Sequence, residues 1–231
     1  MSPMRIERYN LVSGAMRAHG LVVVIDVFRA FTTAAYVMAN GAERIIPVGS
    51  LEEAFKLKRL HPDWVLMGER EGKRVEGFDL GNSPYEVRDI DFTGKTVIQT
   101  TGAGTQGVVN ARGADEIILG SFVMANAIVK HIRRIQPQVV SLVAMGSRGV
   151  ELSKEDELCA GYIEEALEGK VPDFDEIKRR IRESTSGAKF FDTSQPQFRE
   201  EDFHMSLELD RFDFILRVVK ENGLYVVKEQ P

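Results

Sequence analysis

Cysteine, histidine and tryptophan are scarce in this sequence. Its 231 residues include one cysteine, Cys159, four histidines and one tryptophan. A lone cysteine forms neither an intramolecular disulfide nor a thiolate zinc site, which indicates a reducing compartment, most simply the cytoplasm. The histidines show no HExxH spacing, so the sequence gives little support to zinc hydrolase chemistry.

The sequence also lacks long apolar runs and an excess of basic charge. Charged residues interrupt the first twenty positions, and no later apolar run approaches the ~20 residues of a membrane span. The formal net charge of -5 offers no broad basic surface to a nucleic-acid backbone. We therefore expect neither a membrane nor nucleic acid among the partners, and self-association into a homo-oligomer stays open.

Apolar, β-branched segments alternate with helix-compatible segments along the chain. Residues 21–27 (LVVVIDV) are typical of a buried parallel strand. Ser50 is suited to cap a helix that His61-Pro62 ends. Strands are predicted at 21–27, 43–48, 64–69, 95–100, 115–120 and 138–146, and helices at 31–40, 51–60, 121–135, 155–167 and 173–184. This order predicts an α/β fold: a layered sheet of parallel or mixed strands with helices on both faces.

We expect one domain over residues 1–231. Each half opens with a strand, a turn, a helix and a strand, which suggests two similar halves, with subdomains at about 1–92 and 93–231 as the alternative. The last ~60 residues are predicted to be mainly helical. Within them, residues 210–227 are predicted to form a packing helix and a short terminal strand.

Polar residues follow several predicted strands, at the edge where ligands of parallel sheets collect. Asp26 and Arg29 lie at the carboxyl end of the first strand, Glu69 and Arg70 at that of the third, and Arg148 just after the sixth. Asp26 is also suited to cap the next helix, and Glu69-Arg70 to form a solvated turn. The charged pair formed by Asp26 and Arg29 favours a functional site.

The turn after the strand at 95–100 is rich in glycine and hydroxyl side chains. Free backbone N–H groups and the helix dipole of such a turn can hold an anion, so we predict a phosphate-binding turn. It matches neither a Walker A loop nor a GxGxxG fingerprint, and a plain tight connection is the alternative. The residues concerned are Thr100, Thr101, Gly102, Gly104 and Thr105.

The segment 76–84 has the composition of an ordered binding loop. It is too polar for the core, yet Phe78 and Leu80 can anchor it. Asn82 and Ser83, near its end, are candidate substrate-binding residues.

Carboxylates in this loop and elsewhere are candidate ligands of Mg²⁺. This ion prefers one or two carboxylates together with water and substrate phosphate, so we expect only some of the candidates to bind it. For Asp156, a place in the first turn of a capped helix is the alternative. The candidates are Asp26, Glu76, Asp79 and Asp156.

Six segments, in order, resemble the blocks of the 2-phosphosulfolactate phosphatase family. They are VVVIDVFRAFTTA, NGAERIIPV, GEREGKRVEGFDLGNSP, IQTTGAGT, LGSFVMANAI and EDELCAGYI, and together they span about residues 21–168. The combination of GER with EGFDLGNSP is the most specific. The sequence differs where the family usually has TTNGT, because Gly102 and Ala103 stand in place of a single Asn.

The resemblance implies an α/β fold and magnesium-dependent hydrolysis of 2-phosphosulfolactate to sulfolactate and phosphate, a step of coenzyme M biosynthesis. Other substrates in the same site, such as another small phosphorylated hydroxy acid or a sugar phosphate, are the alternative. A third interpretation is an anion-binding module without turnover.

On this interpretation Asp26, Arg29, Glu69 and Arg70 are the catalytic residues. Asp26 anchors Mg²⁺ or attacks the phosphorus itself, and Arg29 and Arg70 grip the phosphate. Ser121 and Arg148 are candidates to recognise the carboxylate or sulfonate end of the substrate, because arginine offers a planar fork of donors.

Overall fold

The computed structural model of the protein describes residues 4–231 and places ten strands in one mixed sheet. The strands are β1 (Arg5–Asn10), β2 (His19–Ile25), β3 (Arg44–Pro47), β4 (Val65–Arg70), β5 (Lys73–Arg74), β6 (Thr96–Thr100), β7 (Gly113–Gly120), β8 (Val139–Ala144), β9 (Ile215–Glu221) and β10 (Leu224–Gln230). The α-helices are α1 (Leu11–Ala15), α2 (Ala30–Ala39), α3 (Leu51–Leu60), α4 (Pro84–Val87), α5 (Gly104–Asn110), α6 (Ala125–Ile135), α7 (Lys154–Leu167), α8 (Phe174–Arg182), α9 (Thr185–Ala188) and α10 (Glu200–Ser206), with 3₁₀ turns at Phe122–Met124 and Lys189–Phe191. The α/β fold class is confirmed.

The sheet consists of two parallel blocks joined by an antiparallel hairpin. Its strand order is β1-β8-β2-β7-β9-β10-β3-β6-β4-β5. The first block is formed by β1, β8, β2 and β7, and the second by β3, β6 and β4. Strands from both sides of residue 92 occur in each block, so a boundary at this residue does not follow the pairing of the strands.

The C-terminal hairpin of β9 and β10 connects the two blocks, with β9 antiparallel to β7 and β10 antiparallel to β3. Asn222 and Gly223 form its turn, both at positive φ, and Glu221 pairs with Leu224. Asn-Gly is the preferred sequence for a two-residue hairpin turn. The packing helix predicted for the first part of 210–227 was therefore wrong, because β9 lies there, whereas the short terminal strand predicted after it is present as β10. The edge strand β1 was also not predicted.

Neighbouring residues of the central strands belong to two different cores. Ile45 and Val97 pack in the larger core, whereas the next residues, Ile46 and Ile98, pack in a smaller core that includes Ala54 of α3. Successive side chains of a strand point to opposite faces, so both faces of the sheet are covered.

No helix within residues 4–231 has the length and apolar character needed to cross a bilayer.

The ends of strands from both blocks meet at one place. Gly104, which opens α5 after β6, lies so close to Asp26 after β2 that an added Cβ would approach Asp26 Oδ2 to 2.8 Å. Gln99 of β6 donates to the carbonyl of Ala30 at 3.0 Å. The loops that follow β2, β4, β6 and β8 therefore surround a common volume, although the antiparallel hairpin lies between the blocks.

We predict that Leu216→Ala lowers the free energy of unfolding by about 2–5 kcal/mol, the range typical of a buried leucine. Leu216 is fully buried and pairs with Leu119 of β7, so its loss leaves a cavity where the hairpin joins the first block. Leu60→Ala is the matched control, because Leu60 is 63% exposed. Urea denaturation of both variants tests this, and equal losses would contradict the hairpin's role as a packed bridge.

Candidate active site

A cavity of about 330 Å³ lies where these loops meet. It is lined by groups from distant parts of the sequence, and seven of them are charged. The charged groups are Asp26, Arg29, Glu69, Glu71, Arg148, Glu155 and Lys189. The structure thus brings together the predicted residues Asp26, Arg29, Glu69 and Arg148.

Asp26 follows β2 and is only 5% exposed. Its Oδ1 accepts a hydrogen bond from the backbone N–H of Ala30 at 3.1 Å, so the helix-capping role and a place in the cavity coexist. Burial raises the pKa of Asp26 to about 7, and the negative charges of Glu69 and Glu155 add to this shift.

Two further carboxylates are buried at the start of α7. Asp156 accepts backbone N–H groups on both oxygens, from Val27 and Gly146, each at 2.8 Å. Burial, with the charges of Glu155 and Asp26, raises its pKa well above the usual range. Asp156 therefore joins the loops after β2 and β8, whereas the neighbouring Glu155 lines the cavity.

Glu155 was not predicted as a site residue. It is 3% exposed, accepts a hydrogen bond from Ser186 Oγ, and burial raises its pKa. Lys189 lines the same cavity, and burial lowers the pKa of its ammonium group while Glu155 opposes that shift. Ser186 and Lys189 come from the last ~60 residues, where no site residue was predicted.

Arg29 is fixed by a buried ion pair. Its Nη1 lies 2.8 Å from Asp202 Oδ2, and the two side chains are 5% and 0% exposed. It also donates to the carbonyls of Gln197 and Gly72, at 3.0 and 2.9 Å. Asp202 was not predicted either, and it also lies within the last ~60 residues.

The glycine-rich turn directs N–H groups toward carboxylates. Gly102 N–H donates to Glu69 Oε1 at 2.7 Å, and the Gly104 backbone is a hydrogen-bond donor that lowers the pKa of Asp26. Thr101 and Thr105 bond to each other through side chain and backbone, which rigidifies the turn. The predicted phosphate-binding turn thus holds two of the cavity's acidic side chains.

Arg70 and part of this turn line a second cavity of about 570 Å³. Arg148 and Glu71 line both cavities, so the two adjoin. Arg70 donates to the carbonyl of Glu69 at 2.6 Å and to Thr100 Oγ1 at 3.0 Å. Arg70 is therefore separated from Asp26, with which it was predicted to act.

One buried oxygen atom of the first cavity's lining residues has no hydrogen-bond partner among residues 4–231. It is Oδ1 of Asn82, whose side chain is 6% exposed. An amide oxygen in the same cavity as the carboxylate of Asp26 fits a hard cation such as Mg²⁺. Within residues 4–231 no group of three or more His, Cys, Asp or Glu side chains forms a metal site, so a cation here would need neutral oxygens, water or substrate as well.

The structure does not bring the four predicted metal ligands together. Asp79 accepts hydrogen bonds from Lys58 and from Leu66 N–H, at 2.9 and 2.8 Å, and lines neither cavity. Although partial burial opposes it, the Lys58 hydrogen bond holds the pKa of Asp79 below its usual range. Glu76 is exposed and also lines neither cavity. Asp79 is held at Leu66, near the start of β4 and away from its carboxyl end.

Two predicted substrate-binding hydroxyls have structural partners instead. Ser83 donates to Asp202 at 2.6 Å and caps α4 by accepting the N–H of Glu86. Ser121 is fully buried and shares a 2.7 Å hydrogen bond with Thr32. Neither side chain lines the two cavities.

Comparison with known proteins identifies a matching family and several proteins of similar sequence. The family model described as 2-phosphosulpholactate phosphatase matches residues 7–221. A Bacillus subtilis protein named probable 2-phosphosulfolactate phosphatase is 36% identical over 87% of this chain and 87% of its own length. Proteins of the same name from Thermotoga petrophila (34% identical, 90% of this chain and 92% of the relative) and Carboxydothermus hydrogenoformans (44%, 62% and 58%) are also similar. The chain belongs to the 2-phosphosulpholactate phosphatase family.

Proposed function

We propose that this protein is a phosphoric monoester hydrolase that cleaves 2-phosphosulfolactate to sulfolactate and inorganic phosphate, with Mg²⁺ as its cofactor. The observation that carries the proposal is that the family match over residues 7–221 encloses every charged residue of the acidic cavity, from Asp26 to Lys189. We further propose that it acts in the cytoplasm, in coenzyme M biosynthesis. The single cysteine of the sequence supports that compartment.

Asp26 and Asn82 are the residues that we assign to Mg²⁺. Asp26 supplies a buried carboxylate, and Asn82 supplies a carbonyl oxygen that has no other partner. When bound, Mg²⁺ would neutralise charge on the phosphoryl oxygens and lower the pKa of a water molecule. The negative charges of Glu69 and Glu155 close to Asp26 favour a cation at this position.

Lys189 is the residue that we assign to the phosphoryl oxygens. It lines the cavity of Asp26, as does Arg148, whose side chain is 55% exposed and also borders the second cavity. Arg29 adds positive charge, but Asp202 and two carbonyls already hold its guanidinium. Hydrolysis of a phosphate monoester depends chiefly on such positioning and charge stabilisation.

The attacking group is either a water molecule or the Asp26 carboxylate. Direct attack by Asp26 would form an aspartyl phosphate that water then hydrolyses. Acid quenching of a single turnover, followed by mass spectrometry, distinguishes the two routes. Phosphorylated Asp26 supports direct attack, and its absence at every quench time supports water.

We predict that Asp26→Asn lowers kcat/KM for magnesium-dependent phosphate release from 2-phosphosulfolactate by about a hundredfold or more. The amide keeps the shape of the side chain but removes the charge that binds the cation. Asp63→Asn, at an exposed aspartate before β4, is the matched control and should keep normal activity. Full magnesium-dependent activity of Asp26→Asn would overturn the assignment.

The affinity for Mg²⁺ should rise with pH. Asp26 binds a cation as the carboxylate, and its pKa of about 7 leaves it mostly protonated at pH 6. We therefore expect the Mg²⁺ concentration for half-maximal activity to fall by about tenfold between pH 6 and pH 8. Magnesium titrations of activity at both values test this, and an unchanged midpoint would contradict it.

A further inference from the structure

The two adjoining cavities differ in the balance of their charges. The cavity of Asp26 is lined by four acidic and three cationic side chains, and three of its carboxylates are absent from the second cavity: Asp26, Glu69 and Glu155. The second cavity is lined by Arg70 and Arg148, with Glu71 as its one acidic residue. The second cavity therefore suits an anion that arrives without a metal ion.

The guanidinium of Arg70 is held ready for such an anion. One nitrogen donates to the carbonyl of Glu69 and another to the hydroxyl of the fully buried Thr100. A guanidinium has five N–H donors, so these two bonds fix its plane and leave donors for a ligand. Fixed, planar donors of this kind match the oxygens of an oxyanion.

The second cavity also has a second arginine and a fixed amide in its lining. Arg148 lies at a loop tip with positive φ, and its ion pair is an exposed 3.6 Å contact with Glu151. Gln106 lines the cavity, and its amide nitrogen donates to the carbonyl of Gly49 at 2.5 Å. An anion in this cavity would have two guanidinium groups in its lining.

We infer that the second cavity binds the sulfonate group of the substrate, through Arg70 and Arg148, while the phosphoryl group occupies the cavity of Asp26. This inference rests on the proposed function. The substrate carries its phosphate ester and its sulfonate on neighbouring carbons, and adjoining cavities match that arrangement. A sulfonate is ionised at all physiological pH values and needs cationic donors, which Arg70 supplies. Arg70 is thus a specificity-determining residue and not a phosphate ligand.

The test compares two substrates that differ only in the sulfonate, 2-phosphosulfolactate and 2-phospholactate. We expect Arg70→Met to lower kcat/KM about a hundredfold for 2-phosphosulfolactate and less than about threefold for 2-phospholactate. The ratio of the two values does not depend on the fraction of folded enzyme, so it remains informative if the variant is destabilised. Arg112→Met, at an exposed arginine after α5, is the matched control and should leave both values unchanged.

A second variant and a binding measurement make the test independent of Arg70. Gln106→Glu puts a negative charge into the second cavity and should weaken competitive inhibition by sulfolactate about tenfold or more, with inhibition by inorganic phosphate changed less than about twofold. Equal losses for both substrates in Arg70→Met, or unchanged sulfolactate inhibition in both variants, would overturn the inference. Failure of the wild-type protein to release phosphate from either substrate would instead overturn the proposed function.

Discussion

Carboxylates buried where β2 and β8 end are the constraint on which the rest of the site depends. Removing a carboxylate from water is costly unless hydrogen bonds or opposite charges replace the solvent. Asp156 obtains two backbone N–H groups, Asp26 obtains that of Ala30, and Glu155 obtains the hydroxyl of Ser186. These bonds fix the loops after β2 and β8 but do not neutralise the charge, and the pKa values of all three acids are raised. An acidic cavity of this kind favours a divalent cation.

The C-terminal quarter of the chain contributes to the site as well as to the sheet. Asp202 of α10 holds Arg29 and also accepts hydrogen bonds from Ser83 and Tyr85 N–H, so it joins three segments around one buried carboxylate. Lys189 brings a cation to the cavity lining, and the hairpin of β9 and β10 connects the parallel blocks. The residues after 170 therefore hold Arg29 in place through Asp202 and also supply Lys189 to the cavity lining.

Local sequence signals were sufficient to predict the elements whose ends carry a capping residue or a helix-breaking residue. The helix α3 runs from Leu51 to Leu60 as predicted, because Ser50 accepts the N–H of Glu53 and His61-Pro62 follows. The hairpin was missed although Asn222-Gly223 carries the turn signal, since the apolar residues before it also fit a helix. The edge strand β1 is charged and half-exposed, which leaves little apolar pattern to detect.

A site residue could be predicted from the sequence where a nearby strand sets its position, and could not where contacts between distant segments set it. Asp26 and Glu69 were predicted because they lie at the carboxyl ends of buried strands, where parallel sheets place their ligands. Glu155 and Lys189 were missed because only the folding of the tail against α7 brings them together. Asp79 has a side chain suited to bind a metal ion, but its carboxylate accepts the N–H of Leu66, thirteen positions away along the chain, in a local structural contact.

Titration of EDTA-treated protein with Mn²⁺, a spectroscopic substitute for Mg²⁺ at oxygen ligands, tests the central claim most directly. Electron paramagnetic resonance counts the ions that the protein removes from solution. The account predicts one bound ion per chain in the wild-type protein and a loss of that binding in both Asp26→Asn and Asn82→Ala. Undiminished Mn²⁺ binding in these two variants, or no binding by the wild-type protein in the presence of phosphate, would contradict it.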